Sequence, residues 1–139
     1  MSAAEDAREW AVCVQSDLTT IACVLRGERV PWDSACFHAQ QAVEKALKAH
    51  LVAQGRRPPR THDCLALLEL CRESEPGLSR HAADCAELTQ YALMGRYPTV
   101  AACPEGEEGL SVVRRARAIA LDILSSLGIG LDDPLEDSV

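Results

Sequence analysis

The sequence predicts an all-α protein: an antiparallel, up-and-down bundle of four long helices plus one short helix, five in all. Two observations carry this. Every long segment repeats its apolar residues at helical spacing, whereas no stretch alternates with period two between turn signals, so no sheet is expected. Gly and Pro cluster between the periodic segments, which makes them connectors and not interruptions.

The first helix is predicted over about 3–26. Ser2 and Glu5 have capping-box spacing, and Glu5 and Asp6 suit the positive end of a helix dipole. Trp10, Val14, Leu18, Ile21 and Leu25 mark its apolar face, and Gly27 stops it. After the Pro31 connector, Asp33 or Ser34 is expected to cap a second helix that runs to about Gln54 and ends at Gly55. "RRPPR" cannot be helical in its middle, because Pro59 pushes Pro58 out of the helical region. Thr61 then caps a short third helix over about 62–73, with Cys64, Leu65, Leu67, Leu68 and Cys71 apolar, until "SEPG" breaks it. A fourth helix is predicted over about 78–94 and a fifth over about 110–127, joined by the loop "GRYPTVAACPEGEEG". These connections are mostly short, so sequence neighbours should lie side by side. The chain reads as one domain over 1–128 and an acidic, mobile tail over 129–139.

Composition narrows the class. The chain of 139 residues is 47% hydrophobic but only 4% aromatic, so Leu, Val, Ile, Ala and Cys must build its core. No apolar run approaches the roughly 20 residues a membrane span needs, and the N-terminus lacks a basic region followed by an apolar one. A cytoplasmic protein is expected. Seven cysteines occur, six of them within periodic segments, without CxxC or zinc-finger spacing. They read as small buried hydrophobes, with no metal site and no cofactor implied.

Net charge is −7, which speaks against general nucleic-acid affinity. The charge is uneven, however. From Lys45 to His62 there is no acid, while Lys45, Lys48, Arg56, Arg57 and Arg60 are basic. Such a local surface suits a phosphate-bearing or acidic partner, or else is a solvated loop.

The second helix holds the main candidate site. At 100° per residue, Cys36, Ala39, Val43 and Leu47 gather on one side, and Phe37 and Leu51 on another. Between them His38, Gln41 and Lys45 form a polar stripe bordered by Ala35, Ala42 and Ala49. Small neighbours permit close approach of a backbone, a subunit or a ligand. The plainer reading is a snorkelling lysine and a histidine bonded to a loop carbonyl.

The segment "ACFHAQQAVEKALKAHLVAQGRRPPRTHDCLALLELC", with "YALMGRYP" further on, resembles the HEPN family (higher eukaryotes and prokaryotes nucleotide-binding domain) over most of the chain. The resemblance implies a five-helix bundle that forms a homodimer, binds nucleotide, and acts beside a separately encoded minimal nucleotidyltransferase, often as a toxin–antitoxin pair. One branch of that family are metal-independent ribonucleases, with Arg, four to six residues, then His, late in the bundle. Here that spacing occurs only from Arg56 or Arg57 to His62, in the loop before the third helix, and no His follows Arg96. The chain departs from the ribonuclease pattern, so the reading leans away from an enzyme. The expected nucleotide- or phosphate-binding residues are His38, Gln41, Lys45, Arg60, His62, Asp63, Arg96 and Tyr97. The alternatives are a ribonuclease toxin with a displaced Arg/His pair, able to act on RNA, and a purely structural helical dimer.

Overall fold

The computed structural model describes residues 2–94, 103–136 and 138–139. They are all-helical, with no strand among them: α1 is Ala3–Leu25, α2 Trp32–Ala53, α3 Cys64–Cys71, α4 Ala82–Leu88 and α5 Gly106–Ser126. Helix α2 is the axis of the bundle. It packs on α1, α3 and α5 and on the 3-10 turn that follows α4, while α1 and α5 scarcely touch. Its Ala35, Ala39, Ala42, Ala46 and Ala49 are fully buried, which lets neighbouring backbones come close. Leu18, Ile21, Leu47, Leu67, Leu68, Ile119 and Ile123 fill the space between helices.

Several helix ends follow the sequence. Ser2 Oγ accepts from the Glu5 amide while the Ser2 amide donates to Glu5, the reciprocal box that its spacing predicts. Gly55 and Gly128 take φ of 74° and 73° just past α2 and α5. Beyond each, paired bonds close a Schellman turn: Arg56 to Leu51 and Gly55 to Val52, Ile129 to Leu124 and Gly128 to Ser125.

Other ends differ from expectation. Helix α2 begins at Trp32 after Pro31, with no side-chain cap, so neither Asp33 nor Ser34 caps it. Helix α5 starts at Gly106, four residues before Leu110, and takes in "GEEG", a segment expected to be loop. One contact holds both first turns together: a Cβ at Gly109 would stand 2.4 Å from Trp32 Cε3, so the indole lies directly on the glycine backbone. Helix α3 is capped by Asp63, not Thr61; the Asp63 carboxylate accepts from the Ala66 amide at 3.1 Å. The predicted long fourth helix is instead a 3-10 segment Pro76–His81, the seven-residue α4, and a 3-10 turn Thr89–Leu93. Thr89 explains the second break. Its hydroxyl donates back to the Cys85 carbonyl at 3.0 Å and accepts from the Cys64 amide at 3.1 Å, which tightens the turn as it ties α4 to α3.

The tail, expected to be mobile from residue 129, places Leu135 at 0% exposure in the core. Asp133 aids this by pairing with Arg117 of α5 and accepting from the Leu135 amide. Of the cysteines, Cys36, Cys64, Cys71 and Cys85 are buried and Cys103 half-buried, but Cys13 and Cys23 are exposed. At 100° per residue these two fall away from the Val14–Leu18–Ile21 face.

Candidate functional site

The polar stripe on α2 meets a carboxylate from α1. Asp17, 5% exposed, accepts from His38 Nδ1 at 2.8 Å and from Lys45 Nζ at 2.7 Å. A carboxylate only accepts, so His38 Nδ1 carries the proton in this bond. The charge of Lys45 is thereby matched within the chain. Gln41, between them, donates to Gln40 Oε1 at 2.7 Å.

That bond leads into a second network one helix face away. Gln40 is fully buried and donates to Glu44 Oε1 at 3.1 Å and to the His62 carbonyl at 3.0 Å. Glu44, 3% exposed, also accepts from His62 Nδ1 at 2.8 Å and from Lys48 Nζ at 3.1 Å. Burial pushes the Glu44 carboxyl up, but the bonds from Gln40, His62 and Lys48 outweigh it and hold the group below its ordinary value. The Lys48 ammonium stands 5.8 Å from the centre of the Trp10 ring, a cation–π contact that anchors α1 to the same network.

His62 is therefore a surface residue with a fixed ring. Its side chain is 54% exposed, yet Nδ1 is pinned to buried Glu44, leaving Nε2 on the solvent side of the pairing. It follows the loop 56–60, whose two prolines limit backbone freedom. Arg56 is committed to structure there, donating to the Leu70 carbonyl at 3.1 Å and to Glu73 at 2.8 Å. Arg57 and Arg60 are exposed, and neither makes a salt bridge among the described residues. Asp17–Lys45 and Glu44–Lys48 thus balance, whereas the loop before His62 carries two guanidiniums with no salt bridge among the described residues.

Of the residues singled out from sequence, the structure joins His38 and Lys45 through Asp17. It joins Gln41 to His62 through Gln40. Arg60 lies in the adjoining loop. Asp63 caps α3 and is held also by Thr89. Arg96 and Tyr97 lie outside the described residues. Asp17, Gln40 and Glu44 were missed in the sequence, and Lys48, expected as part of a basic surface, is instead buried and paired with Glu44. The signals were present: Asp17 is the sole charge between Trp10 and Leu25, and Glu44–Lys48 is an i,i+4 pair.

A second cluster joins α4 and α5. Arg115 of α5 pairs with Asp84 at 2.9 Å and with Glu87, beside a groove that includes Tyr91, Cys103 and Ser111. Its two carboxylates already satisfy the one guanidinium, so it does not suit a phosphate. Among the described residues no group of three or more His, Cys, Asp or Glu could hold a metal ion, and no helix is long and apolar enough to cross a membrane.

The family model described as the HEPN domain matches residues 17–125 of the chain. No curated protein and no solved structure matches it significantly.

Proposed function

Since the chain belongs to the HEPN family, we propose that it is a dimeric helical protein that binds a nucleotide or phosphate group beside His62, where that residue packs on α2. On this reading it acts with a separately encoded minimal nucleotidyltransferase, as one member of a toxin–antitoxin type pair. The observation that carries the reading is the pair Arg57 and Arg60, without salt bridges among the described residues, beside an imidazole held in place by a buried glutamate. Guanidiniums grip phosphate oxygens in bidentate fashion, and a ring that is already oriented gives up little entropy on binding. His38, Gln41 and Lys45 extend the polar surface along α2. Asp63 fixes the start of α3, and Arg96 and Tyr97 complete the expected set.

Calorimetry with ATP and GTP tests the binding. Arg57→Ala and Arg60→Ala should each weaken it about ten-fold, in line with loss of one charge-assisted contact of about 1.4 kcal/mol. Absence of heat with either nucleotide, together with failure to co-purify a co-expressed nucleotidyltransferase, refutes the reading.

One observation favours a second reading, a ribonuclease. Arg57 and His62 have the Arg-x4-His spacing, and the bond from His62 Nδ1 to Glu44 fixes the ring while leaving Nε2 available to a 2′-hydroxyl. Growth arrest on expression and RNA cleavage in vitro, both abolished by His62→Ala, would establish it; cleavage retained in His62→Ala would exclude this residue assignment.

A further inference from the structure

We propose that the outward face of α1 is a self-association surface, on which a second copy of this chain docks about a two-fold axis. The proposal deepens the dimer of the preceding section by naming its face. It rests on three observations. First, Asp17 is the only charged residue between Trp10 and Leu25, and it points inward. The exposed side of that stretch is Val12, Cys13, Ser16, Thr19 and Cys23, an uncharged strip in a chain that is 25% charged overall. A molecule of net charge −7 repels its own copies, and an uncharged strip is where they meet at least cost.

Second, a knob and a hole lie side by side. Val12, at 68% exposure, is one of two large apolar side chains prominent on the described surface. It borders a groove of about 530 Å³ between α1 and the chain past α5, lined also by Gly128, Ile129 and Leu131. In an isologous contact each copy offers the same patch, so both valines enter the facing groove at once. Third, the groove carries one charge of each sign. Arg8 and Asp132 both line it, both are exposed, and neither makes a salt bridge among the described residues. Glu5, one turn before Arg8, is bonded to Ser2 in the capping box, and Arg8 is the smallest of the influences that lower its pKa. Across a two-fold axis Arg8 of each copy would face the partner's Asp132, giving two ion pairs at the rim of an apolar contact. Like charges would have opposed such a dimer; this pattern favours it.

Sedimentation of the purified full-length chain from about 1 to 100 µM tests the surface. The expected result is a dimer that Val12→Asp weakens on the order of 100-fold, since two valines are lost per dimer. Arg8→Glu should weaken it about ten-fold, and Arg8→Glu with Asp132→Arg should restore it to within about three-fold of the parent. All three positions are exposed, and unchanged helical circular dichroism would show that the fold is intact. A dimer that persists unaltered in Val12→Asp and Arg8→Glu overturns this face but leaves dimerisation standing. A parent chain that stays monomeric throughout overturns both, whereas nucleotide binding by that monomer would still be scored separately.

Discussion

Replacing Glu44 by Gln probes the structural centre of the candidate site. The substitution preserves shape but turns an acceptor toward Lys48 into an amide that must donate or rotate. Glu44 is 3% exposed, and the side chain of Lys48 only 11%. Removing one partner of a buried ion pair typically costs about 3–5 kcal/mol, because the other charge is left unpaired. Lys48 keeps a sliver of solvent and the face of Trp10, which places the expected loss near the lower limit, about 3 kcal/mol. Against a total of about 5–15 kcal/mol this is a large fraction. At this chain length it corresponds to a fall in melting temperature of about 6–12 °C. The assay is urea and thermal unfolding of the parent, Glu44→Gln, Lys48→Met and the double variant. Met restores the volume of Lys without its charge, so the double variant should recover most of the loss. The same pairing fixes the pH dependence. The Glu44 carboxyl is held below its ordinary value in the folded state, so the unfolded chain takes up its proton first as pH falls. The stabilisation is complete above the unfolded value of 4.5 and is lost as pH descends through the lower folded value. A loss under about 1 kcal/mol in Glu44→Gln, or a double variant no better than the single, refutes a charge-based hub.

Further outcomes follow from other residues. Gly109→Ala would gain helix propensity of about 1 kcal/mol but thrust its Cβ into the Trp32 ring, and overpacking of a rigid indole costs about 1–3 kcal/mol. It should therefore lower the melting temperature, whereas Gly109→Ala with Trp32→Leu should not. His50, 2% exposed, has a buried Nδ1 without a hydrogen-bond partner among the described residues, and burial lowers its pKa below the ordinary 6.5. The unfolded chain binds that proton more readily, so stability should decline as pH falls below 6.5; His50→Leu should flatten this slope in urea titrations between about pH 7 and 5. Asp17→Asn should leave the stripe's Lys45 without a counter-charge and cost about 2–4 kcal/mol, read by chemical denaturation. A change within about 0.5 kcal/mol would show that Lys45 finds solvent instead.

Local signals carried the helix ends wherever the cap is made by residues close in sequence. Ser2–Glu5, Gly55 and Gly128 all behave as their residue types require. The failures were tertiary. Trp32 and Gly109 extend α2 and α5 beyond their apparent starts because each first turn is the other's packing partner, and no window of one helix contains that fact. Thr89 breaks α4 because Cys64, on another helix, needs an acceptor. The candidate site was half legible for the same reason. Periodicity exposed His38, Gln41 and Lys45 as a stripe, since that is a property of one helix. The partners Asp17 and Glu44 were harder to see. Asp17 sits on the apolar side of α1, where a lone acid is discounted, and Glu44 and His62 meet only after the chain has turned through "RRPPR".

The distribution of thiols has a practical consequence. Cys23 and Cys13 stand open on α1, while Cys36, Cys64, Cys71 and Cys85 are sealed between helices, where burial raises their pKa and suppresses the reactive thiolate. A maleimide offered to the native protein would therefore modify the outer pair at once and the inner four only as the bundle breathes. The lag between those phases is a clock for core opening, readable by mass spectrometry without a single engineered probe. If a second copy covers α1, Cys13 would leave the fast phase as concentration rises, so the same label would report assembly and breathing in one trace.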